Sequence, residues 1–332
     1  MGALKAFKNK LFKMKQTIFT FLFLTFFGLA ACKKDKIQQT IKQYDQTQIL
    51  NYIAAHNLTG FVRDTVGGDT TGIYYKIITP GNGARLTYSM QVPMVYSYGS
   101  FDGKFTSSDT INNHFYDYLG HIQLLGMPLG LQTALVNDLK YNGGTIRVLI
   151  PSHLAYGLNG SGSGSSQVAN NRIAGNQCLD YYAHLINNFP VYDDMVIQNY
   201  MKDSSLVGYT KVESKLDSLN SPLDPKNYYY YKVLTPGTGT DYITDASTVT
   251  VTYTGQTFNA TIFDNYNTTG GYPLEVGQLT EGVKEALENY ALTDTKISIL
   301  VPSSLAYGLN VQSGIPIFSC LRFTFVVVSV SP

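Results

Sequence analysis

The chain has 332 residues, 44% of them hydrophobic and 14% charged, with a formal net charge of +1. That composition suits two ordinary globular domains and excludes a disordered chain. Lys+Arg 24 against Asp+Glu 23 leaves no basic excess to attract nucleic acid.

The first 31 residues carry Lys5, Lys8, Lys10, Lys13 and Lys15 and no acid, followed by the apolar run Ile18–Leu29 and Ala30-Ala31-Cys32. A positive start, a short apolar core and small residues at the cut predict a secretory leader over residues 1–31. The apolar run is short for a membrane span. Leu29-Ala30-Ala31-Cys32 resembles a bacterial lipobox, which implies lipidation of Cys32, with Met14 as an alternative start. Acyl chains there would anchor the protein without a spanning helix. Lys33 follows, where some lipoproteins carry an inner-membrane retention Asp, so the expected address is the outer membrane, facing the periplasm or the surface. The leader's lysines outnumber the net charge, so the rest of the chain is mildly acidic.

Residues 32–43 read as a polar tether, and two repeat units follow, 44–190 and 191–332. In the first, Asp45 is placed to cap a short helix with an apolar face of Ile49, Tyr52 and Ile53; 148 residues on, Asp193 precedes Ile197, Tyr200 and Met201. Polar connections, Thr65–Thr71 and Glu213–Lys226, lead to strands that each end in Thr-Pro-Gly, Ile73–Gly81 and Tyr229–Gly237. Met90, Val92, Met94 and Tyr96 then alternate, as do Val249, Val251 and Tyr253, the period of a strand with one buried face. A short helix follows in each unit, with Leu131, Ala134, Leu135 and Leu139 or Val283, Ala286, Leu287 and Tyr290 on one side.

The next strands run into a duplicated bend, Ile150-Pro151-Ser152-His153-Leu154-Ala155-Tyr156-Gly157 and Val301-Pro302-Ser303-Ser304-Leu305-Ala306-Tyr307-Gly308. Proline ends the strand because it cannot donate to the ladder, and glycine lets the chain turn. A tyrosine fixed there offers a hydroxyl and a flat apolar face to whatever lies beneath. Gly160–Asn171, rich in Gly and Ser, reads as a flexible loop overhanging the first bend. Each unit closes on an alternating strand, Leu179/Tyr181/Ala183/Leu185 or Leu321/Phe323/Phe325/Val327. Cys178 and Cys320 precede these strands at equivalent positions, which predicts two buried thiols and no bridge. The fold class is α+β: two tandem units, each a twisted antiparallel sheet wrapped around one short helix and preceded by another.

This order of motifs resembles the FKBP-type peptidyl-prolyl cis-trans isomerase family, twice over, across roughly residues 72–186 and 227–331. The second unit shows Tyr253, Phe263-Asp264, Gly282, Ala306-Tyr307-Gly308, Ile315-Pro316 and Phe323. The first shows Tyr96, Asp102-Gly103-Lys104-Phe105-Thr106-Ser107-Ser108, Gly130, Ala155-Tyr156-Gly157, Ile173 and Tyr181. The resemblance implies isomerisation of Xaa-Pro bonds without cofactor or metal. In the second unit it implies catalytic roles for Tyr253, Phe263, Asp264, Tyr307 and Phe323, with Tyr272 as a further wall, Leu279 and Thr280 at the rim, Val283 on the floor and Ile315 beside it. In the first it implies a pocket of Tyr96, Phe105, Met127, Leu131, Tyr156, Ile173 and Tyr181.

The sequence departs from the family where it puts tryptophan on the pocket floor: Leu131 and Val283 stand there. The first unit also has Thr106 for an expected Asp and Ala174 for an expected Pro, so activity is expected mainly in the second. A proline-containing polypeptide is the implied substrate. The competing reading is a non-catalytic binding or scaffold lipoprotein that docks an envelope protein. Plainer roles stay open for single residues: Tyr156 and Tyr307 as bend tyrosines, Asp264 before Asn265 as turn chemistry. The histidines His56, His114, His121, His153 and His184 lack the paired spacing of a metal site.

Overall fold

The computed structural model describes residues 40–68, 70–215 and 226–332. The expected leader, Cys32, most of the expected tether and much of the 213–226 connection lie outside the described residues. Among the described residues no helix is long and apolar enough to cross a membrane.

Two copies of one architecture follow each other. In the first, α1 (Ile41–Ala55) precedes β1 (Val62–Arg63), β2 (Tyr74–Thr79), β3 (Gln91–Ser100), β4 (Thr106–Ser107) and β5 (His114–Tyr118). Helix α2 (Leu129–Ala134), continued by a wider turn over Leu135–Leu139, leads to β6 (Thr145–Ile150), a ribbon of β7 (Ser161–Gly162) and β8 (Arg172–Ile173), and β9 (Leu179–Leu185). In the second, α3 (Phe189–Asp203) precedes β10 (Thr210–Glu213), β11 (Tyr228–Thr235), β12 (Thr248–Thr257), β13 (Ile262–Tyr266) and β14 (Tyr272–Glu275). Then come α4 (Glu281–Tyr290), β15 (Lys296–Val301) and β16 (Leu321–Ser331).

The sheets are antiparallel, with strand orders β1-β2-β6-β9-β3-β4 and β10-β11-β15-β16-β12-β13; β5 joins β3, and β14 joins β12. Each element of one order has its counterpart in the other, so the repeat extends to topology. The registers also correspond: Leu179 faces Ser100 in the first sheet, and Leu321 faces Thr257 in the second. Lys42–Pro332 form one compact unit that contains both copies.

Each sheet buries its concave face on its helix. Leu131 and Leu135 pack with Met94, Ile146, Val148 and Ile150; Val283 and Leu287 pack with Val251, Ile297, Ile299 and Phe325. Each such side chain contributes about 1.5–3 kcal/mol on leaving water. The helices lie so close that a Cβ on Gly130 would meet Ile150 at 2.4 Å and one on Gly282 would meet Val301 at 2.6 Å. Only glycine fits there.

Two expectations fail. Neither Asp45 nor Asp193 caps a helix: Asp45 lies inside α1, and α3 is capped by Asn188, whose side chain accepts from Val191 N, with Pro190 in its first turn. Residues 160–171 are not a free loop either: Ser161–Gly162 pair with Arg172–Ile173, Asn170 Oδ1 accepts from Thr106 N at 2.8 Å, and Lys104 Nζ donates to Gln167 Oε1 at 3.0 Å.

Candidate functional site

Each bend is fastened to its N-terminal helix by one buried carboxylate. Asp45 accepts from Ser152 Oγ at 2.7 Å and pairs with His153 Nδ1 at 2.7 Å; Asp193 accepts from Ser303 Oγ at 2.7 Å and Ser304 N at 3.4 Å. Cys178 and Cys320 sit buried beside these carboxylates. The helices thus pin the loops that present Tyr156 and Tyr307. Sequence reasoning missed this because a short polar residue ahead of an apolar period reads as a cap.

In the second copy, pairing of β12 with β13 and β16 sets Gly255 opposite both Asp264 and Phe323, and Tyr253 opposite Phe325. The rings of Phe263 and Phe323 meet edge to face, 5.7 Å apart and 81° inclined. They close directly over Gly255, where a Cβ would lie 2.7 Å from Phe263 and 2.9 Å from Phe323. Buried Val283 and nearly buried Ile315 belong to the same apolar cluster, with Leu279, Tyr253 and Tyr307 packed on its margin.

Polar groups ring this apolar patch. Tyr253 Oη donates to Asp264 Oδ2 at 2.8 Å, which fixes the carboxylate. Burial and that carboxylate push Tyr253 up to about 12. Burial, aided by Asp264, also raises Tyr307, so both hydroxyls stay protonated and able to donate at neutral pH. Thr280 Oγ1, at the start of α4, is buried with no hydrogen-bond partner. Tyr272 is exposed on β14, its ring 5.3 Å from that of Tyr266, and close enough to Tyr253 to act on its hydroxyl.

In the first copy the expected residues also gather. Leu131, Ile173 and Tyr181 are buried, and Tyr96, Phe105, Met127 and Tyr156 pack on them. One residue that sequence reasoning passed over changes the outcome. Tyr98 faces Tyr181 across the β3–β9 pairing, the place Gly255 holds opposite Phe323. Its ring lies flat on Tyr181, centroids 4.6 Å apart and planes 6° apart, and its other neighbour is Phe105 at 5.5 Å. Phe105 and Tyr181 correspond to Phe263 and Phe323, so Tyr98 inserts a ring between two walls that touch directly in the second copy. The Tyr156 hydroxyl is hydrogen-bonded to those of both Tyr98 and Tyr181, and burial raises all three phenols. Tyr98 thus occupies the space between these two rings. A groove of about 450 Å³ in this copy is lined by Ser97, Tyr98, Gly99, Arg147, Asp180 and Tyr182.

Residues 239–328 match the family described as FKBP-type peptidyl-prolyl cis-trans isomerase. The chain is 26% identical over 236 residues, 70% of its length, to the human peptidyl-prolyl cis-trans isomerase FKBP10, of which it spans 33%. Among solved structures it is similar to the three FKBP domains of wheat FKBP73, at 17% identity and TM-score 0.31, covering 78% of this chain and 94% of that one. It is also similar to FkpA from Escherichia coli, at 25% identity and TM-score 0.34, covering 43% and 61%.

Proposed function

With residues 239–328 belonging to the FKBP-type peptidyl-prolyl cis-trans isomerase family, we propose that the second domain isomerises Xaa-Pro bonds in polypeptides. The observation that carries this reading is the apolar patch over Gly255, walled by Phe263 and Phe323 and ringed by the hydroxyl of Tyr307 and the Tyr253–Asp264 pair.

The chemistry asks for no nucleophile or metal. Rotation about the amide has a barrier of about 18–20 kcal/mol because resonance must be broken. A twisted amide is less conjugated and tolerates a dry surrounding better than the planar form. Phe263, Phe323, Ile315 and Val283 would hold the pyrrolidine ring away from water, and Tyr307 Oη would donate to a substrate carbonyl. Asp264, held by Tyr253, would sit against the rotating carbonyl and favour the twisted state, in which its electron distribution has changed. Val283 gives the ring less contact than an aromatic floor, so weak binding and modest acceleration are expected.

The filled pocket around Tyr98 supports a non-catalytic role for the first domain, as a binding or scaffold module. Leu29-Ala30-Ala31-Cys32 supports a lipid anchor at Cys32 and a place in the cell envelope, at the outer membrane, where unfolded or partner envelope proteins would be the clients. Mass spectrometry of membrane-extracted protein should show acyl mass on Cys32, absent in Cys32→Ala; an unmodified N-terminus would remove the anchor from the reading.

The deciding experiment is a protease-coupled prolyl-isomerisation assay on residues 33–332, beside Tyr307→Phe and Asp264→Ala. Acceleration reduced in both variants is the expected result. A folded chain that leaves the thermal rate unchanged, yet binds a proline peptide, would turn the reading to a scaffold.

A further inference from the structure

The segment Ile315–Phe318 faces two ways. Ile315 belongs to the pocket cluster of the second domain, with Val283, Phe323 and the margin residue Phe263. Phe318, three residues on, belongs to a different cluster, with Val95 and Ile186 of the first domain. Alternation along β5 explains the partner it finds there: Phe115 points into the first core, so its neighbour His114 points out of it. The imidazole of His114 stacks on the Phe318 ring, centroids 4.1 Å apart and planes 7° apart. Its Nδ1 lies 2.5 Å from the carbonyl oxygen of Ile317 and donates to it.

The first domain supplies an internal comparison. There Asn176 N donates to Gly157 O at 2.8 Å; in the second, Phe318 N donates to Gly308 O at 2.6 Å. Both residues have positive φ, 58° for Asn176 and 43° for Phe318. Asn is one of the few side chains that adopts this region readily; for a bulky residue it is a genuine outlier. Phe318 is nevertheless only 1% exposed and held in that conformation. What the first domain has at the equivalent place is an ordinary turn residue; what the second has is a strained aromatic whose ring is buried against its neighbour.

The same stretch of the first domain also reaches the other flank of the pocket. Ile111 packs with Phe258, and Asn259 Nδ2 donates to Asp109 Oδ2 at 2.9 Å, in the turn that leads to Phe263 and Asp264. Residues 109–114 therefore touch both segments that carry pocket residues of the second domain.

We propose that His114 of the first domain is a positioning residue for the second-domain pocket, holding Ile317–Phe318 so that Ile315 stands as one wall beside Tyr307. The first domain, with its own pocket filled by Tyr98, then serves as the support of its neighbour's site. This inference rests on the proline-binding reading for its kinetic arm only.

The test uses residues 33–332 with His114→Ala, His114→Asn, whose amide can donate where Nδ1 does, and Phe318→Asn, which copies the first domain's turn. Amide hydrogen exchange at Phe318 should quicken at least tenfold in His114→Ala and Phe318→Asn, and the Ile315 methyl resonance should move. His114→Asn should restore the exchange rate to within about threefold of the parent. KM for a proline peptide should rise several-fold in His114→Ala with kcat within twofold, the pattern of lost binding rather than lost chemistry. Unchanged exchange at Phe318 and an unmoved Ile315 methyl in folded His114→Ala would overturn the proposal. A parent chain that neither binds nor isomerises the peptide would defeat the proposed function, while the exchange and methyl arms would still decide this one.

Discussion

Tyr98 lies flat on Tyr181, ring centroids 4.6 Å apart, at the place where the second domain has Gly255 beneath Phe323. The two copies of one fold thus differ at this place by a whole aromatic ring: Tyr98 lies between Phe105 and Tyr181, whereas Phe263 and Phe323 meet each other over Gly255. In Tyr98→Gly the ring between Phe105 and Tyr181 is removed. Losing a packed aromatic side chain should lower stability by about 3 kcal/mol, read by urea unfolding. A proline peptide should then perturb the resonances of Tyr96, Tyr156 and Tyr181, which it leaves untouched in the parent. No perturbation in the folded variant would show that Tyr98 is not what closes this site.

The reverse change tests the second pocket. A methyl group on Gly255 would lie 2.7 Å from Phe263 and 2.9 Å from Phe323, so one ring must move. Gly255→Ala should therefore lower kcat/KM for a proline peptide by about tenfold, or about 1.4 kcal/mol of transition-state stabilisation. The melting curve should shift far less than the activity. A variant with parental activity would place the site elsewhere.

The sequence shows the surroundings of Gly255 more fully than those of Tyr98. The repeat was legible because period-two strands and the two Leu-Ala-Tyr-Gly bends stand in the same order in both halves. The grouping of Tyr253, Phe263, Asp264, Tyr307 and Phe323 is legible because each follows a recognisable local motif. Tyr98 escaped because alternation puts Tyr96 and Tyr98 on one face, and only the register of β3 against β9 decides which ring meets Tyr181. Asp45 and Asp193 escaped for a related reason. Their partners, Ser152 and Ser303, lie more than a hundred residues away, and no local pattern announces that distance. His114 could be read only as a poor metal ligand until the packing of one domain on the other was in view.

The two buried thiols give a probe of these anchors. Burial, with Asp45 beside Cys178 and Asp193 beside Cys320, raises both thiols, leaving little thiolate to react. In a Cys32→Ser chain, a disulfide reagent such as DTNB should react with neither until the chain opens. Ser303→Ala removes the donor that ties α3 to its bend and should speed labelling of Cys320 by tenfold or more, leaving Cys178 unaffected. Equal acceleration at both sites would mean global rather than local loosening.

Two buried carboxyl groups, Asp193 on α3 and Asp138 in the turn Leu135–Leu139 after α2, predict how stability varies with pH. Burial raises Asp193 to about 6, and burial together with the nearby Asp64 raises Asp138 to about 7. An unfolded aspartate titrates near 3.9. Each native carboxyl therefore keeps its proton over a range where the unfolded chain has released it, and each contribution to stability is complete below about pH 4. It is lost as pH rises, through about 6 for Asp193 and about 7 for Asp138, and is flat above. The unfolding free energy from urea titration should accordingly fall between pH 4 and 7, by at most about 1.4 kcal/mol per pH unit for each group. Asp138→Asn should flatten the part of the slope between pH 6 and 7, because the amide does not titrate and resembles the protonated acid. Asp193→Asn should act on the lower part. A parent whose stability rises from pH 4 to 7, with both variants following it, would show that these two groups are not buried in their protonated form.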